Sequence, residues 1–343
     1  MRNTKNRLIL GVLGFFLAIT AAFGGDDGTI YVYSSRNNAA DRKVYQDFTD
    51  AMGINVAVVT GKADELIEKL ADAGAKGNAD LFVTVDGGVL HAAKKAGIFQ
   101  KTLSPAIMKN VPARYRDRDD CWVGLTTRAR VLVYAKDRVS PSELSTYAAL
   151  RDPKWKGKVL TRSSSVLYNQ SLLASLMTAY GEREATKFAC GVAANLARDP
   201  KGNDRDQAKA VAAGVGDVAI MNTYYLGHML NSEDPEEVKA AESVGVFFPD
   251  QDGAGTHINV CGIGLTASSR NPEAALRLVE YLVSRRAQEK LSAGNHEFPV
   301  NPEAELPELL KSWGEFKAQD IDFSLLGINK PAAVALMKLV GWQ

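Results

Sequence analysis

Residues that usually build metal or redox centres are scarce in this chain. It has three cysteines and four histidines among 343 residues. The cysteines, Cys121, Cys190 and Cys261, are odd in number and lie far apart, without the paired spacing of a zinc site. We expect them to behave as small buried hydrophobic residues, and their spacing does not reveal whether two of them form a disulfide. The histidines show no i, i+4 pairing, which gives little support to a histidine metal site.

Runs of basic residues are also missing. The formal net charge is +1, and Arg2, Lys5 and Arg7 place three positive charges at the extreme N-terminus. Removing those three from the total leaves a chain with a formal charge of −2. Proteins that bind nucleic acids carry clustered Lys and Arg that neutralise phosphates. The sequence therefore predicts no nucleic-acid partner.

The sequence also lacks the short motifs of common enzyme classes. It contains no G-x-S-x-G nucleophile elbow, no H-E-x-x-H zinc motif, no phosphate-binding G-K-[ST] loop and no dinucleotide glycine fingerprint. Internal repeats, low-complexity tracts and long linkers are absent as well. We do not expect an enzyme.

One long hydrophobic run occurs, at the N-terminus. The basic residues are followed by an apolar stretch from Leu8 to Phe23 and then by small residues including Gly24 and Gly25. This layout is typical of a secretory signal peptide, which we assign to residues 1–25. A membrane anchor is the competing interpretation, because the run is long for a signal peptide and short for a span. No cysteine follows the run, which argues against a lipoprotein.

The rest of the chain alternates between short apolar runs and amphipathic stretches. Strand-like runs near residues 28–33, 54–59 and 80–85 are separated by helical patterns near 41–52 and 63–75. This order predicts an α/β fold with βαβ units and a mixed, mostly parallel sheet flanked by helices. Ligands of such sheets gather beyond the carboxyl ends of the strands, which makes residues 34–38 and 86–88 candidate loops of a cleft.

Two further runs predict strands that pass between two lobes. The first covers residues 123–134 and the second covers residues 262–266. We therefore expect a two-lobed protein with a cleft between the lobes. The N-terminal lobe is predicted to consist of residues 26–127 and 255–300, and the C-terminal lobe of residues 128–254 and 301–343.

Two adjacent tyrosines are the most informative local feature. Tyr224 and Tyr225 follow the apolar run at 218–221, at a predicted junction between a strand and a helix. Phenolate oxygens are hard donors that suit hard, highly charged cations such as ferric iron. The alternative is that one ring lies in the core and the other begins a helix.

Several separated segments together resemble one known family. They are YVYSSR (31–36), FVTVDGG (82–88), GLTTRAR (124–130), RSSSVLYNQS (162–171), NLARDPKGND (195–204), GDVAIMNTYY (216–225) and EFPVNP (297–302). In this order they resemble the periplasmic ferric-iron-binding proteins of bacterial iron ABC importers, which have the class II solute-binding fold. The resemblance implies an exported periplasmic monomer that binds one Fe3+ in its cleft and delivers it to permease and ATPase subunits.

The resemblance also implies a set of ligands. Tyr224 and Tyr225 match the family's paired tyrosines, and Tyr168 matches a further tyrosine that many members use. Relatives often carry His, or His followed by Tyr, after the Ser-Ser-Arg segment, where this chain has Asn37 and Asn38. Three phenolates would then bind the ion, and carbonate, another small anion or water would complete the shell. Asn37 and Asn38 are otherwise ordinary turn residues.

Arginines are the candidates for holding such an anion. Arg128 and Arg130 alternate along one predicted strand and so share a face, and Arg36 lies in the first cleft loop. We select Arg128 as the anion ligand or outer partner of the metal site, because a planar guanidinium matches a planar oxyanion. A salt bridge at the surface or between the lobes is the alternative role of Arg128.

Two other functions keep the same fold. A class II binding protein could carry a small anion or an organic solute such as a phosphonate, thiamine or a polyamine, with Ser163–Ser165 as possible anion donors. Phenolates would repel an anion, and the sequence offers no convergent acidic set for a polyamine. A periplasmic receptor that reports its ligand to a sensor is not distinguished from a transport subunit by sequence.

Overall fold

The computed structural model describes residues 28–342. The predicted signal peptide, residues 1–25, lies outside these described residues. No helix within residues 28–342 has both the length and the apolar character needed to cross a membrane.

Nine strands form one hydrogen-bonded sheet in the described chain, and seven of them lie along a continuous path. The strand order is β2-β1-β3-β8-β4-β6-β5, and β7 and β9 pair with β4. The strands are β1 (Ile30–Ser34), β2 (Val56–Thr60), β3 (Leu81–Thr84), β4 (Val123–Ala135), β5 (Val159–Leu160), β6 (Val218–Asn222), β7 (Val244–Phe247), β8 (Ile258–Leu265) and β9 (Phe298–Pro299).

Helices connect and cover these strands. They are α1 (Ala39–Met52), α2 (Ala63–Ala73), α3 (Gly87–Lys95), α4 (Pro105–Asn110), α5 (Leu167–Ala194), α6 (Asp204–Ala212), α7 (Thr223–Leu230), α8 (Pro235–Glu242), α9 (Pro272–Leu282), α10 (Arg285–Asn295), α11 (Glu308–Ser312) and α12 (Ser324–Leu339). Short 3-10 turns occur between some of them.

The sheet is mixed. The βαβ alternation predicts parallel pairs. The structure has three of them: β1 pairs in parallel with β2 and with β3, and β5 pairs in parallel with β6. The pairs that β4 makes with β6, β7, β8 and β9 are antiparallel, as is the pair between β3 and β8. The first half of β4 pairs with β8, and its second half pairs with β6, so one 13-residue strand joins the two ends of the sheet.

Separate hydrophobic cores lie at the two ends of this path. One core includes Val131, Leu172 and Ile220, from β4, α5 and β6. The other includes Phe48 and Ile263, from α1 and β8. A third cluster, which includes Tyr33, Leu66 and Phe82, packs α2 against β1 and β3. The first core also includes Leu90 from α3, so apolar burial continues across the middle of the sheet.

Two local expectations differ from the structure. The sequence pattern after Pro272 predicts one helix to about residue 291, but α9 ends at Leu282 and α10 begins at Arg285. The break arises because the side chain of Ser284 accepts a hydrogen bond from the amide of Ala287 and so caps a new helix.

The cysteines are the second difference. All three are free thiols, but only Cys261 is buried, whereas Cys121 is half-buried and Cys190 is exposed. The expectation of buried hydrophobic residues is correct for Cys261 alone. Cys190 lies on α5, whose outer face is exposed to solvent at this position.

Candidate metal centre

A cavity of about 340 Å3 brings the predicted site residues together. It lies where the C-terminal ends of β1 and β3 approach the first turns of α5 and α7. Its lining residues are Ser35, Arg36, Asn37, Asn38, Val85, Arg128, Tyr168, Arg205, Tyr224, Tyr225, His228 and Glu297. All seven residues that the sequence analysis selected are in this set.

The three tyrosines converge in this cavity from two helices. Tyr168 lies in the first turn of α5, and Tyr224 and Tyr225 lie in the first turn of α7, directly after β6. The Tyr224 hydroxyl donates a hydrogen bond to the Tyr168 hydroxyl at 3.1 Å. The ring centroids of Tyr224 and Tyr225 are 4.3 Å apart. Two phenol oxygens therefore already lie within the distance at which one ion can bind both.

Without a bound cation the phenols of Tyr168 and Tyr224 are protonated at neutral pH. Burial, reinforced by the neighbouring Tyr225, raises the pKa of Tyr168 above its ordinary value, and Arg128 opposes this shift. Burial and the neighbouring Tyr168 and Tyr225 raise the pKa of Tyr224 well above the ordinary value. A trivalent cation reverses this balance because it favours the ionised oxygens. Ion binding at this cavity must then release protons.

Three guanidinium groups surround the ring of Tyr168. The central carbons of Arg128, Arg130 and Arg162 lie 5.7, 5.9 and 5.6 Å from its centroid. Arg128 is 2% exposed, its Nη2 donates to the carbonyl of Val85, and its Nη1 is buried without a hydrogen-bond partner in the described structure. An unpartnered buried guanidinium nitrogen is costly unless an acceptor can reach it. Arg162 also has buried nitrogens without a hydrogen-bond partner in the described chain, Nε and Nη1, but of these three arginines Arg128 is the one that lines the cavity, so it is the one placed to bind an oxyanion there.

Arg130 has a different role, because its partners are inside the protein. Its Nη1 donates to Asp204 at 2.9 Å and to Asn222 at 3.1 Å, and its Nη2 donates to Asn169 at 2.6 Å. Asn169 directly follows Tyr168 in the sequence, and Asn222 directly precedes α7, the helix that carries Tyr224. This buried network fixes the starts of α5 and α7 relative to each other.

Arg36 lines the cavity, but carboxylates occupy its guanidinium. Its Nε and Nη2 donate to Asp41 at 2.5 and 2.8 Å, and its Nη1 donates to Glu297 at 2.6 Å. Thr126 also donates to Glu297 at 2.6 Å. Arg36 therefore ties β1 to the segment that contains Glu297, and Arg128 is the better placed of the two for an anion.

Asn37 and Asn38 lie at the mouth of the cavity. Asn37 is exposed, and its side-chain oxygen accepts a hydrogen bond from Arg42. Asn38 is the residue before α1, and its side chain makes no capping hydrogen bond. Neither amide is a strong metal donor. The ligands that the resemblance assigns to these positions are therefore missing from this side of the cavity.

Asp86 is a helix cap, as its sequence context suggests. Its side chain accepts hydrogen bonds from the amide of Val89, from Ser171 at 2.6 Å and from Asn259 at 2.6 Å. Ser171 lies one turn after Tyr168 on α5, so this bond connects the tyrosine-bearing helix to the end of β3.

Four residues beside the site were not selected from the sequence as site residues. His228, Arg205 and Glu297 line the cavity, and His296 packs against His228 with ring centroids 4.9 Å apart. Burial lowers the pKa of His228 below its ordinary value, with Arg205 adding to the shift. Burial and the neighbouring His228 lower the pKa of His296 to about 4. The spacing of histidines in the sequence does not reveal the contact between His228 and His296, because they lie far apart in the chain. The i, i+4 spacing of Tyr224 and His228 is the local signal that could have identified His228.

A metal site in this cavity depends on tyrosine. Within residues 28–342, no group of three or more His, Cys, Asp or Glu side chains is arranged to hold a metal ion. The phenol oxygens are the hard donors that the cavity supplies, and hard donors favour a hard cation.

Comparisons with known proteins agree in fold and length. A family model for bacterial extracellular solute-binding proteins matches residues 76–325. The chain is 46% identical to iron uptake protein A1 of Synechocystis, over 93% of this chain and 89% of that protein.

Solved structures give the same result. One is a Trichodesmium protein (IdiA, FutA) in complex with iron and citrate, at 45% identity, with a TM-score of 0.89 over 92% of this chain and all of that one. Another is a ferric binding protein from Campylobacter jejuni, at 38% identity, with a TM-score of 0.86 over the same shares of the two chains.

Proposed function

Since the chain belongs to the family of bacterial extracellular solute-binding proteins, we propose that it captures ferric iron and delivers it to an ABC importer. The observation that carries this proposal is the meeting of Tyr168, Tyr224 and Tyr225 in one cavity. The relatives named for iron uptake and for ferric binding support the same cargo. Solute-binding proteins of this family are transport proteins and not enzymes.

We propose that the three tyrosines bind Fe3+ as phenolates. Three phenolate charges equal the charge of the ion, so the centre would be neutral before any further anion binds. Burial raises the pKa values of Tyr168 and Tyr224, which supports reversible binding, because protons return to these oxygens when the ion leaves. Acid conditions should therefore favour release.

The remaining coordination positions would be filled by carbonate, another small anion or water. We propose that Arg128 holds this anion through its unpartnered Nη1, and that Arg36, Asn37 and Asn38 form the outer part of the site. The relative whose structure contains iron and citrate supports a role for an exogenous anion. The positive charge of Arg128 would offset the charge that the anion adds.

The biological setting follows from the family. We propose that residues 1–25 direct export to the periplasm, where the protein acts as a monomer beside the permease and ATPase subunits of the importer. We also propose that the chain forms two lobes. Residues 26–127 and 255–300 form the N-terminal lobe, and residues 128–254 and 301–343 form the C-terminal lobe. The core that includes Phe48 and Ile263 lies wholly within the first of these lobes, which supports this division, and residues of both lobes line the cavity.

The proposal predicts a coloured ferric complex. Titration of the purified protein with chelated Fe3+ should give an orange-red colour from charge transfer between phenolate and iron. The double substitution Tyr224→Phe with Tyr225→Phe should abolish this band, because two of the three phenolates are removed. Tyr281→Phe, which lies outside the cavity and contacts Phe48, is the matched control and should keep the colour.

Two outcomes would contradict parts of this proposal. A colourless protein at saturating Fe3+ would refute phenolate binding and would favour an anion or an organic solute as cargo. The titration is repeated with and without bicarbonate, and with Arg128→Lys. Identical spectra and affinities in all of these would refute the exogenous anion and the assigned role of Arg128.

A further inference from the structure

Two histidines that are far apart in sequence meet at the edge of the tyrosine cavity. The His228 ring lies 6.2 Å from the Tyr224 ring and 4.9 Å from the His296 ring, measured between centroids. Both ring pairs are nearly perpendicular, at 80° and 78°. Neither imidazole forms a hydrogen bond to another group within residues 28–342. The nitrogen lone pair of His228 is therefore available to a ligand of the cavity.

The helix that carries the tyrosines also presents His228. Tyr224 and His228 are four residues apart on α7, and residues with this spacing lie one above the other on the same face of a helix. The face of α7 that supplies a phenol oxygen to the cavity thus supplies an imidazole as well. His228 lines the same cavity as Tyr168, Tyr224 and Tyr225.

The backbone around His296 is adapted to bring it against α7. His296 follows α10 in the left-handed conformation, with φ 53° and ψ 37°, which is uncommon for a residue other than glycine. Gly227 lies in the middle of α7, where glycine destabilises a helix, and a Cβ there would be 2.5 Å from the Cβ of His296. The left-handed backbone at His296 and the glycine at position 227 are both locally unfavourable, and both allow His296 to contact His228.

We propose that His228 is a nitrogen ligand of the metal and that His296 is the residue that positions its ring. This inference rests on the proposed function, because it adds one ligand to the phenolate site. It supplies a donor that Asn37 and Asn38 do not. Glu297, another cavity residue, is engaged by Arg36 and Thr126, which leaves the imidazole as the better available donor.

The proposed ligand changes the character of the shell. Imidazole is a softer donor than phenolate and binds iron, copper, nickel and zinc. A neutral imidazole adds no charge, so three phenolates and His228 would still balance Fe3+. The shell would be a mixed one of nitrogen and oxygen, with all protein ligands on α5 and α7.

Pulsed electron paramagnetic resonance of the ferric protein tests this ligand directly. In a nitrogen-free buffer with Fe3+ citrate, the unmodified protein should show the 14N modulation of a coordinated imidazole. His228→Gln should lose this modulation and keep the phenolate colour. Competition with citrate should show an affinity for Fe3+ at least about tenfold lower in His228→Gln, and a smaller loss in His296→Ala.

The control is His91→Gln, because His91 lies on α3 and is not part of the cavity. It should retain both the modulation and the affinity. A coloured unmodified protein without 14N modulation, or a His228→Gln variant that keeps it, would overturn this inference and leave the phenolate site intact. Modulation that disappears only in His296→Ala would also overturn it, since His296 would then be the ligand. A colourless unmodified protein would instead refute the proposed function.

Discussion

At the scale of single residues, Asp250 is a buried carboxyl group whose hydrogen bonds are incomplete. This residue is 3% exposed, has a left-handed φ of 62°, and its Oδ2 has no hydrogen-bond partner in the described structure. Burial raises the pKa of Asp250 to about 6, and a hydrogen bond from the backbone of Tyr147 opposes the shift. The ionised carboxylate therefore costs stability at neutral pH.

The substitution Asp250→Asn should stabilise the protein at high pH. A carboxyl group with a raised pKa in the folded state loses stability as pH rises from about 4 to about 6, with no further loss above that. The variant should thus be more stable at pH 8, by on the order of 1–3 kcal/mol, with no advantage at pH 4. Asparagine also tolerates the left-handed backbone.

Urea unfolding at pH 4, 6 and 8 measures this effect. The control is Asp252→Asn, since Asp252 is exposed and close in sequence. It should change stability by less than about 0.5 kcal/mol at each pH. An Asp250→Asn variant that is less stable than the parent at pH 8 would show that the buried carboxylate stabilises the fold.

At the scale of elements, the sequence predicts the strands and helices that are marked by a local pattern of apolar and turn residues. The runs that become β1, β2, β3, β4, β6 and β8 are recognisable because each is a short apolar segment between turn residues. The position of Tyr224 at the start of α7 follows from the same logic. The break between α9 and α10 was missed because one serine cap outweighs a continuous apolar periodicity.

The neighbourhood of the tyrosines was only partly predictable for the same reason. Tyr168, Tyr224, Tyr225 and Arg128 could be selected from separate motifs, because each motif keeps its residues in a fixed local order. The contact between His228 and His296 depends on the left-handed turn after α10 and on Gly227. No local spacing encodes a contact between two elements so far apart in the chain.

The long helix α5 contains one conformational break, at Gly181. This glycine has φ 81° and ψ 163°, a conformation that residues with a Cβ avoid. A Cβ at this position would meet nothing within 4 Å, so backbone strain is the only cost of adding one. Gly181→Ala should therefore destabilise the fold by about 1–3 kcal/mol.

Iron binding should be unchanged in Gly181→Ala, because Tyr168 lies at the other end of the first segment of α5. Thermal unfolding and ferric titration measure the two effects separately. Glu182→Ala, at the next residue, is the control and should leave both near their parental values. A stable Gly181→Ala protein would show that α5 can straighten through this position.

At the scale of the whole molecule, β4 and β8 pass between the two proposed lobes, and residues of both lobes line the cavity. Tyr168 and Tyr224 come from helices packed on one hydrophobic core, whereas Ser35, Asn37 and Val85 follow strands of the other. The phenols proposed as ligands are thus on one side, and the other side of the lining carries Asn37, Asn38 and the ion pair of Arg36 with Glu297.

The release of protons on iron binding is the most direct test of the central claim, that three phenols bind one ferric ion. Titration of unbuffered, bicarbonate-free protein at pH 7 with ferric citrate should release about three protons per ion, one from each tyrosine, after correction for the protons that the freed citrate takes up. Tyr168→Phe should lower this number to about two. Saturable binding of Fe3+ that releases no proton, or a Tyr168→Phe variant that releases as many as the parent protein, would contradict the claim.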